Sequence, residues 1–164
     1  GNMIESKSGD GKFVCSEITL LKEIYMDVVA RFDNAEYFSE GFAEVRFNGK
    51  YNFINTEGKL LSERSFDDAS NFYEGFARVK LDGKWNHINK EGKILSEQWL
   101  DDTYDFREGF AVVWLDGKCN FINTEGKFLS EQWLDDACSF HEGFTMVMLD
   151  GKYNYINTEG KIVG

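Results

Sequence analysis

The chain has 164 residues, a formal net charge of −11 and a hydrophobic content of 42%, with 15 Phe, 7 Tyr and 4 Trp. These apolar residues are sufficient for a folded core, whereas the acidic excess argues against nucleic acid or an anionic membrane surface as a partner, because both attract positive charge. Apolar runs stay well short of the ~18 residues that a membrane-spanning helix needs.

The first 37 residues are predicted to form a tail, half a repeat and a cap. Residues 1–10 are polar and predict a flexible tail, and residues 11–14 match the end of the repeat described below. From Ile18 to Ala30 the apolar residues recur at helical spacing, and Ser16 can cap the start of a helix. We expect an amphipathic helix that covers the open edge of the first repeat. A strand in this segment is the alternative.

Four repeats follow, each beginning at a phenylalanine that lies 34 residues after the previous one. Every repeat carries a Glu-Gly-Phe motif, then Gly-Lys, then Ile-Asn, then Glu-Gly-Lys. The predicted boundaries are 38–71, 72–105, 106–139 and 140–164.

Glycines interrupt each repeat too often for a pair of helices, and the segments between them alternate with the period of a β-strand. In the second repeat we predict a strand over 76–81, a type I′ Asp-Gly turn at 82–83 and a return strand over 85–89. A second turn at 91–92 leads into a third strand that starts at 93–96. The predicted fold is all-β, with antiparallel meanders or hairpins in an elongated array. Closure into a β-propeller-like ring is the alternative.

The combined pattern F-x-E-G-F-A-x-V-x-x-D-G-K-W-N-x-I-N-x-E-G-K resembles the WG repeat family of bacterial proteins. The Trp-Gly pair of that family is replaced here, in successive repeats, by Tyr51-Asn52, Trp85-Asn86, Cys119-Asn120 and Tyr153-Asn154. We expect asparagine to replace glycine because both tolerate the left-handed backbone region. The resemblance implies a repeat module, usually without an assigned activity, and it names no substrate.

The predicted hairpin has one near-constant face and one variable face. In the second repeat the constant face carries Ala77, Val79, Asn86 and Ile88, and we assign it to the core. The variable face becomes apolar towards the C-terminus, which is typical of a protein-binding patch. The alternative is that the links between repeats, or neighbouring repeats, cover this face. The predicted binding residues are Val112, Trp114, Phe121, Met146, Met148, Tyr153 and Tyr155.

The residues able to carry chemistry do not form a recognisable site. His87 replaces a Phe or Tyr of the other repeats, and we interpret it as drift within the repeat. Cys138 and His141, even joined by Cys119, fall short of the four ligands of a structural zinc site, and no group orients Cys138 as a nucleophile. The Asp pairs at 67–68, 101–102 and 135–136 fit turn chemistry better than calcium binding.

We therefore expect a non-catalytic scaffold without metal or cofactor, whose partner is another protein or a second copy of the chain. Equal copies of each polar group argue against the unique site of an enzyme. A carbohydrate- or cell-wall-binding module is the alternative, with aromatic rings stacking on sugars, among them Trp85, Trp99, Trp114 and Trp133. Cysteines without an obvious disulfide framework lean weakly towards the cytoplasm.

Overall fold

The computed structural model describes residues 32–163, and every regular element among them is a β-strand. The predicted tail, half repeat and helical cap lie outside the described residues, apart from 32–37. The strands are β1 Asn34–Ala35, β2 Phe42–Phe47, β3 Lys50–Asn55, β4 Asp68–Ala69, β5 Phe76–Leu81, β6 Lys84–Asn89, β7 Asp102–Thr103, β8 Phe110–Leu115, β9 Lys118–Asn123, β10 Asp136–Ala137, β11 Phe144–Leu149, β12 Lys152–Asn157 and β13 Ile162–Val163. The all-β prediction is confirmed.

The chain divides into two compact bodies, with the boundary between Ser65 and Phe66. The described part of the first body holds the sheet β1-β2-β3. The second body holds three sheets, in the orders β4-β5-β6, β7-β8-β9 and β10-β11-β12-β13. All pairings are antiparallel, and none of the four sheets closes on itself. Residues 32–163 contain no helix, and therefore no helix that is long and apolar enough to cross a membrane.

The central hairpin of each repeat has the predicted register. In the second repeat Lys80 pairs with Trp85 and Arg78 pairs with His87. Both turn residues have positive φ, 52° at Asp82 and 81° at Gly83, as a type I′ turn requires. The same two-residue turn recurs at 48–49, 116–117 and 150–151.

In the first three repeats the third strand of the predicted meander is replaced by single bridges, whereas the fourth repeat forms it as β13. Ile94 bridges Ile88 and Leu100 bridges Trp85, and the regular third strand is instead supplied by the link that precedes the hairpin. The reason is the side chain of Asn86, whose Nδ2 donates to Ser96 O at 2.9 Å and whose Oδ1 accepts from Ser96 N at 3.1 Å. An amide side chain thus holds the segment where a backbone ladder was expected.

The asparagine of the Trp-Gly-like pair therefore has a different role from the predicted one. Asn52, Asn86 and Asn120 are absent from the residues with positive φ. They are buried instead, and each bonds the serine ten residues on, as Asn120 does with Ser130 at 2.8 and 3.0 Å. The explanation by left-handed backbone is wrong for these three residues, whose amide groups instead donate to and accept from the backbone of the serine.

A further tight turn precedes each hairpin, at the Glu-Gly of the Glu-Gly-Phe motif. Glu74 and Gly75 both have positive φ, 48° and 91°, and the flanking Tyr73 and Phe76 form a bridge. A glutamate in this region is uncommon and costs conformational energy. The turn reverses the chain from the link into the first strand of the hairpin.

The core follows the predicted constant face of each hairpin. Ala77, Val79, Asn86 and Ile88 are at most 1% exposed, which confirms the assignment. In the third repeat the same positions pack with residues of the preceding link. That cluster consists of Leu100, Phe106, Ala111, Val113 and Ile122.

Candidate functional site

The variable face of the second repeat is a packing face for the third. Phe76 stacks on Phe106 with ring centroids 4.3 Å apart. Arg78 pairs with Asp105 at 3.1 Å and donates to Thr103 O at 3.4 Å. Side chains on this face are therefore occupied by the link that leads into the next repeat.

His87 is buried in this packing rather than displayed. Its Nε2 lies 3.0 Å from Tyr104 O, so the proton is on Nε2, because a carbonyl only accepts. The ring also makes an edge contact with Phe106 at 4.9 Å. Burial lowers the pKa of His87 to about 4, and the imidazole is neutral at neutral pH. The residue has a structural environment and no accessible substrate side.

The variable face of the third repeat is buried in the same way by the fourth. Val112 and Phe121 are 2% and 0% exposed, and Phe121 contacts Phe140 at 4.8 Å between centroids. Trp114 is half-buried against the same cluster. Val112 and Phe121 thus have no surface for a partner, and the alternative of coverage between repeats describes the third repeat.

The face of the fourth repeat is exposed. Met146, Tyr153 and Tyr155 are 42%, 68% and 52% exposed. Met146 pairs directly with Tyr155, and the half-buried Met148 pairs with Tyr153, so the four side chains are neighbours on one sheet face. Phe144, 50% exposed, extends the same row. We call these five residues the terminal face.

A lysine–aspartate pair links successive repeats beside these faces. The ammonium group of Lys84 contacts Oδ1 of Asp101, and that of Lys118 contacts Oδ1 of Asp135. The lysine lowers the pKa of each aspartate, and a turn amide helps by donating to Oδ2, at 2.8 Å from Asp116 N to Asp101. Sequence reasoning missed this pair, although the Gly-Lys motif and the Asp pair recur at a constant separation.

The second aspartate of each pair bonds its own neighbour's backbone. Asp68, Asp102 and Asp136 accept from the following amide at 2.8 to 2.9 Å. The predicted bonding of these aspartates to their own backbone is thus seen, although they begin strands β4, β7 and β10 and do not lie in turns. Between residues 32 and 163 no cluster of three or more His, Cys, Asp or Glu side chains has the geometry of a metal site.

The two described cysteines differ in environment. Cys119 is buried beneath the fourth repeat, and burial raises the pKa of its thiol to about 12. Cys138 is exposed, as is His141. Cys119 is therefore a protonated core residue at neutral pH rather than a nucleophile.

The four tryptophans do not form an exposed platform. All four are half-buried. Trp85 lies under the cations of Arg78 and Lys80, at 5.8 and 5.7 Å from its ring, and Trp133 contacts Phe128 at 5.0 Å. Trp85 and Trp133 are thus each in contact with neighbouring side chains.

Several solved structures resemble the chain at low identity. Kluyveromyces lactis Hsv2p aligns at 12% identity and a TM-score of 0.42, over 79% of this chain and 49% of its own. A eukaryotic initiation factor aligns at 12% and 0.48, over 80% and 42%. A protein of unknown function from Bacteroides caccae aligns at 16% and 0.34, over 79% and 58%. The chain thus spans about half the length of Hsv2p.

Sequence comparison points to one family. No curated protein matches the chain. The family model described as "WG containing repeat" matches four times, at residues 28–51, 53–85, 88–119 and 121–153. These matches cover most of the sequence and repeat with the period seen in the hairpins. The chain belongs to the WG containing repeat family.

Proposed function

We propose that the chain is a non-catalytic scaffold that binds a protein through the terminal face of its fourth repeat. The observation that carries the proposal is the contrast between equivalent positions. Phe121 is fully buried, whereas Tyr155, its equivalent 34 residues on, is 52% exposed. Val112 is 2% exposed and its equivalent Met146 is 42% exposed.

The composition of the terminal face suits a protein partner. Contiguous exposed apolar side chains usually mark an interaction site. Methionine adapts its shape to a partner, and tyrosine supplies a large rigid surface with a polar end. The predicted site is therefore narrowed to Met146, Met148, Tyr153 and Tyr155, with Phe144 added.

The proposal is tested by placing a photo-crosslinking amino acid at position 155 and, as a control, at position 60. Leu60 is 54% exposed but lies outside the terminal face. We expect position 155 to crosslink a protein in an extract of the source cells and position 60 to leave it unlabelled. The crosslinked protein is then purified and its binding measured directly.

The binding measurement uses Met146→Asp/Tyr155→Asp beside Leu60→Asp, with circular dichroism to show that all variants are folded. Loss of binding only in the terminal-face variant supports the proposal. Equal binding by all three proteins, or equal crosslinking from both positions, contradicts it.

A further inference from the structure

We propose that a cavity at the contact between the second and third repeats binds the carboxylate group of a small molecule. Arg78, Tyr104, Asp105, Arg107 and Ser139 line this cavity, whose volume is about 180 Å³. Tyr104, Arg107 and Ser139 are exposed, so a solute can reach it. The cavity shares no residue with the terminal face, and the inference goes beyond the proposed function.

The two arginines of the cavity differ in their charge compensation. The Nε atom of Arg78 forms an ion pair with Oδ1 of Asp105 at 3.1 Å, and Nη1 of Arg78 donates to Thr103 O at 3.4 Å. None of the ion pairs among residues 32–163 involves Arg107. The lining side chains therefore carry one net positive charge, in a chain whose net charge is −11.

Arg107 is held in place by a tyrosine. Its Nη1 donates to the hydroxyl oxygen of Tyr73 at 3.1 Å, and its guanidinium carbon lies 5.2 Å from the centroid of the Tyr73 ring. A guanidinium carries several N–H donors in a rigid fork, so this one bond leaves most of them available. Because the fork is already oriented, less side-chain entropy is lost when a ligand binds.

The hydroxyl groups of the lining are donors without acceptors. Among residues 32–163, the hydroxyl groups of Tyr104 and Ser139 make no hydrogen bond. The carboxylate of the lining, Asp105, is already paired with Arg78. A ligand that complements this cavity must therefore supply hydrogen-bond acceptors and negative charge.

A carboxylate matches the lining better than a phosphate does. Its two oxygens offer about four lone-pair sites, which suffice for a bidentate bond from Arg107 and one bond from each hydroxyl group. Its single negative charge equals in magnitude the net charge of the lining. A phosphate dianion would leave an uncompensated negative charge beside Asp105.

The arginine pair is particular to this place in the array. The other repeats form the same hairpins without either arginine, so the fold of the repeat does not require them. The equivalent positions hold Glu44, Val112 and Met146 in place of Arg78, and Ser39, Tyr73 and His141 in place of Arg107. Binding an anion accounts for two cations at one cavity of an acidic chain.

Titration of sodium acetate into the isotope-labelled full chain tests the inference by nuclear magnetic resonance, with sodium chloride at equal ionic strength as the reference. We expect saturable shifts of the backbone amide signals of residues 104–107 and 139. Half-saturation is expected at about 10 mM, the range of a few charge-assisted hydrogen bonds. Chloride should produce no saturable shift of these signals.

Arg107→Gln is expected to weaken acetate binding about tenfold or more, and Arg107→Lys should restore part of it, because the charge returns without the fork. Arg46→Gln is the matched control. Arg46 donates to the hydroxyl of Tyr51 at 3.0 Å and lies 5.5 Å from its ring, but its cavity is also lined by Glu36 and Glu44. This variant should bind acetate as the unaltered chain does.

Circular dichroism verifies that the variants are folded. Shifts that stay linear at ten times the expected half-saturation, or binding that is unchanged in Arg107→Gln, overturn the inference. Inorganic phosphate that saturates the same signals at a lower concentration than acetate also overturns it, because the ligand class is then phosphate.

The outcomes are independent of the proposed function. Met146→Asp/Tyr155→Asp should bind acetate as the unaltered chain does, because both residues lie outside the cavity. Arg107→Gln should retain the protein crosslink from position 155. Failure of one proposal therefore leaves the other standing.

Discussion

The carboxylate of Glu108 accepts hydrogen bonds from the backbone amides of Glu142 and Gly143, at 2.9 and 3.2 Å. Glu108 and Glu142 are equivalent residues of adjacent repeats, both in left-handed conformation. The glutamate of the third repeat's turn thus caps the turn of the fourth repeat. These two bonds offset the conformational cost of the positive φ at Glu108.

Glu108→Gln is expected to lower the thermal unfolding midpoint at neutral pH more than Glu125→Gln, which changes an exposed glutamate outside these turns. The two turn amides lower the pKa of Glu108 below its usual value of 4.5. Its contribution is therefore present above pH 4.5 and disappears as the pH falls through the lower folded value. Circular dichroism melts across this range measure the difference, and a gap between the variants that persists in acid would contradict the assignment.

His87 should make the stability depend on pH between about 4 and 6.5, which is higher than the range in which Glu108 acts. Its pKa is about 4 in the folded protein and 6.5 when exposed, so the unfolded chain binds the proton first. Stability is then lost as the pH falls from 6.5 towards 4, by about 1.4 kcal/mol per unit.

Replacing His87 by Phe, the residue at the equivalent positions 53 and 121, should remove this slope. Urea unfolding at several pH values measures it. His141→Gln, which changes an exposed histidine, serves as the control and should retain the slope. A slope unchanged in His87→Phe would show that another group titrates.

Asn86→Gly introduces the glycine of the family motif and is expected to destabilise the chain by about 2 kcal/mol or more. The change leaves the buried amide and carbonyl of Ser96 without the Asn86 side chain. Asn89→Gly removes two hydrogen bonds at an exposed turn, where water replaces them, and should cost less than about 1 kcal/mol. Equal losses in chemical denaturation would refute a special role for Asn86.

Gly126 and Gly117 allow backbone strain to be separated from crowding. Both have positive φ, 85° and 79°. A Cβ at Gly126 would lie 2.5 Å from Leu95 O, whereas a Cβ at Gly117 meets nothing within 4 Å.

Gly117→Ala should therefore lose about 1–2 kcal/mol from the left-handed backbone alone. Gly126→Ala should lose about 1–3 kcal/mol more, because the backbone of Leu95 must move. The free energies of unfolding from urea titrations test this order, and similar values for the two variants would mean that the contact relaxes without cost.

The hairpins were predictable because their determinants are local. An Asp-Gly pair between alternating segments specifies the turn, and the turn specifies the register from Lys80–Trp85 to Arg78–His87. The core face then follows from the period of two. The 14 consecutive residues from Phe76 to Asn89 are sufficient to predict the hairpin of the second repeat.

The interfaces between repeats were not predictable in the same way. The sequence shows that Val112 and Phe121 are apolar, but their burial depends on the position of Phe140 in the next repeat. Position along the chain distinguishes Phe121 from Tyr155, because only the former has a following link packed on it. The role of Asn86 was hidden because its partner Ser96 lies in an irregular segment.

The packing of each variable face on the next link has a consequence for the rate of folding. A hairpin of the second body closes within its own strands, and its link reaches only the adjacent repeat. Short sequence separation between contacting residues means that little loop-closure entropy is lost before favourable contacts form. These three repeats should therefore fold faster than an all-β sandwich of equal size, with nucleation in one hairpin and growth to its neighbours.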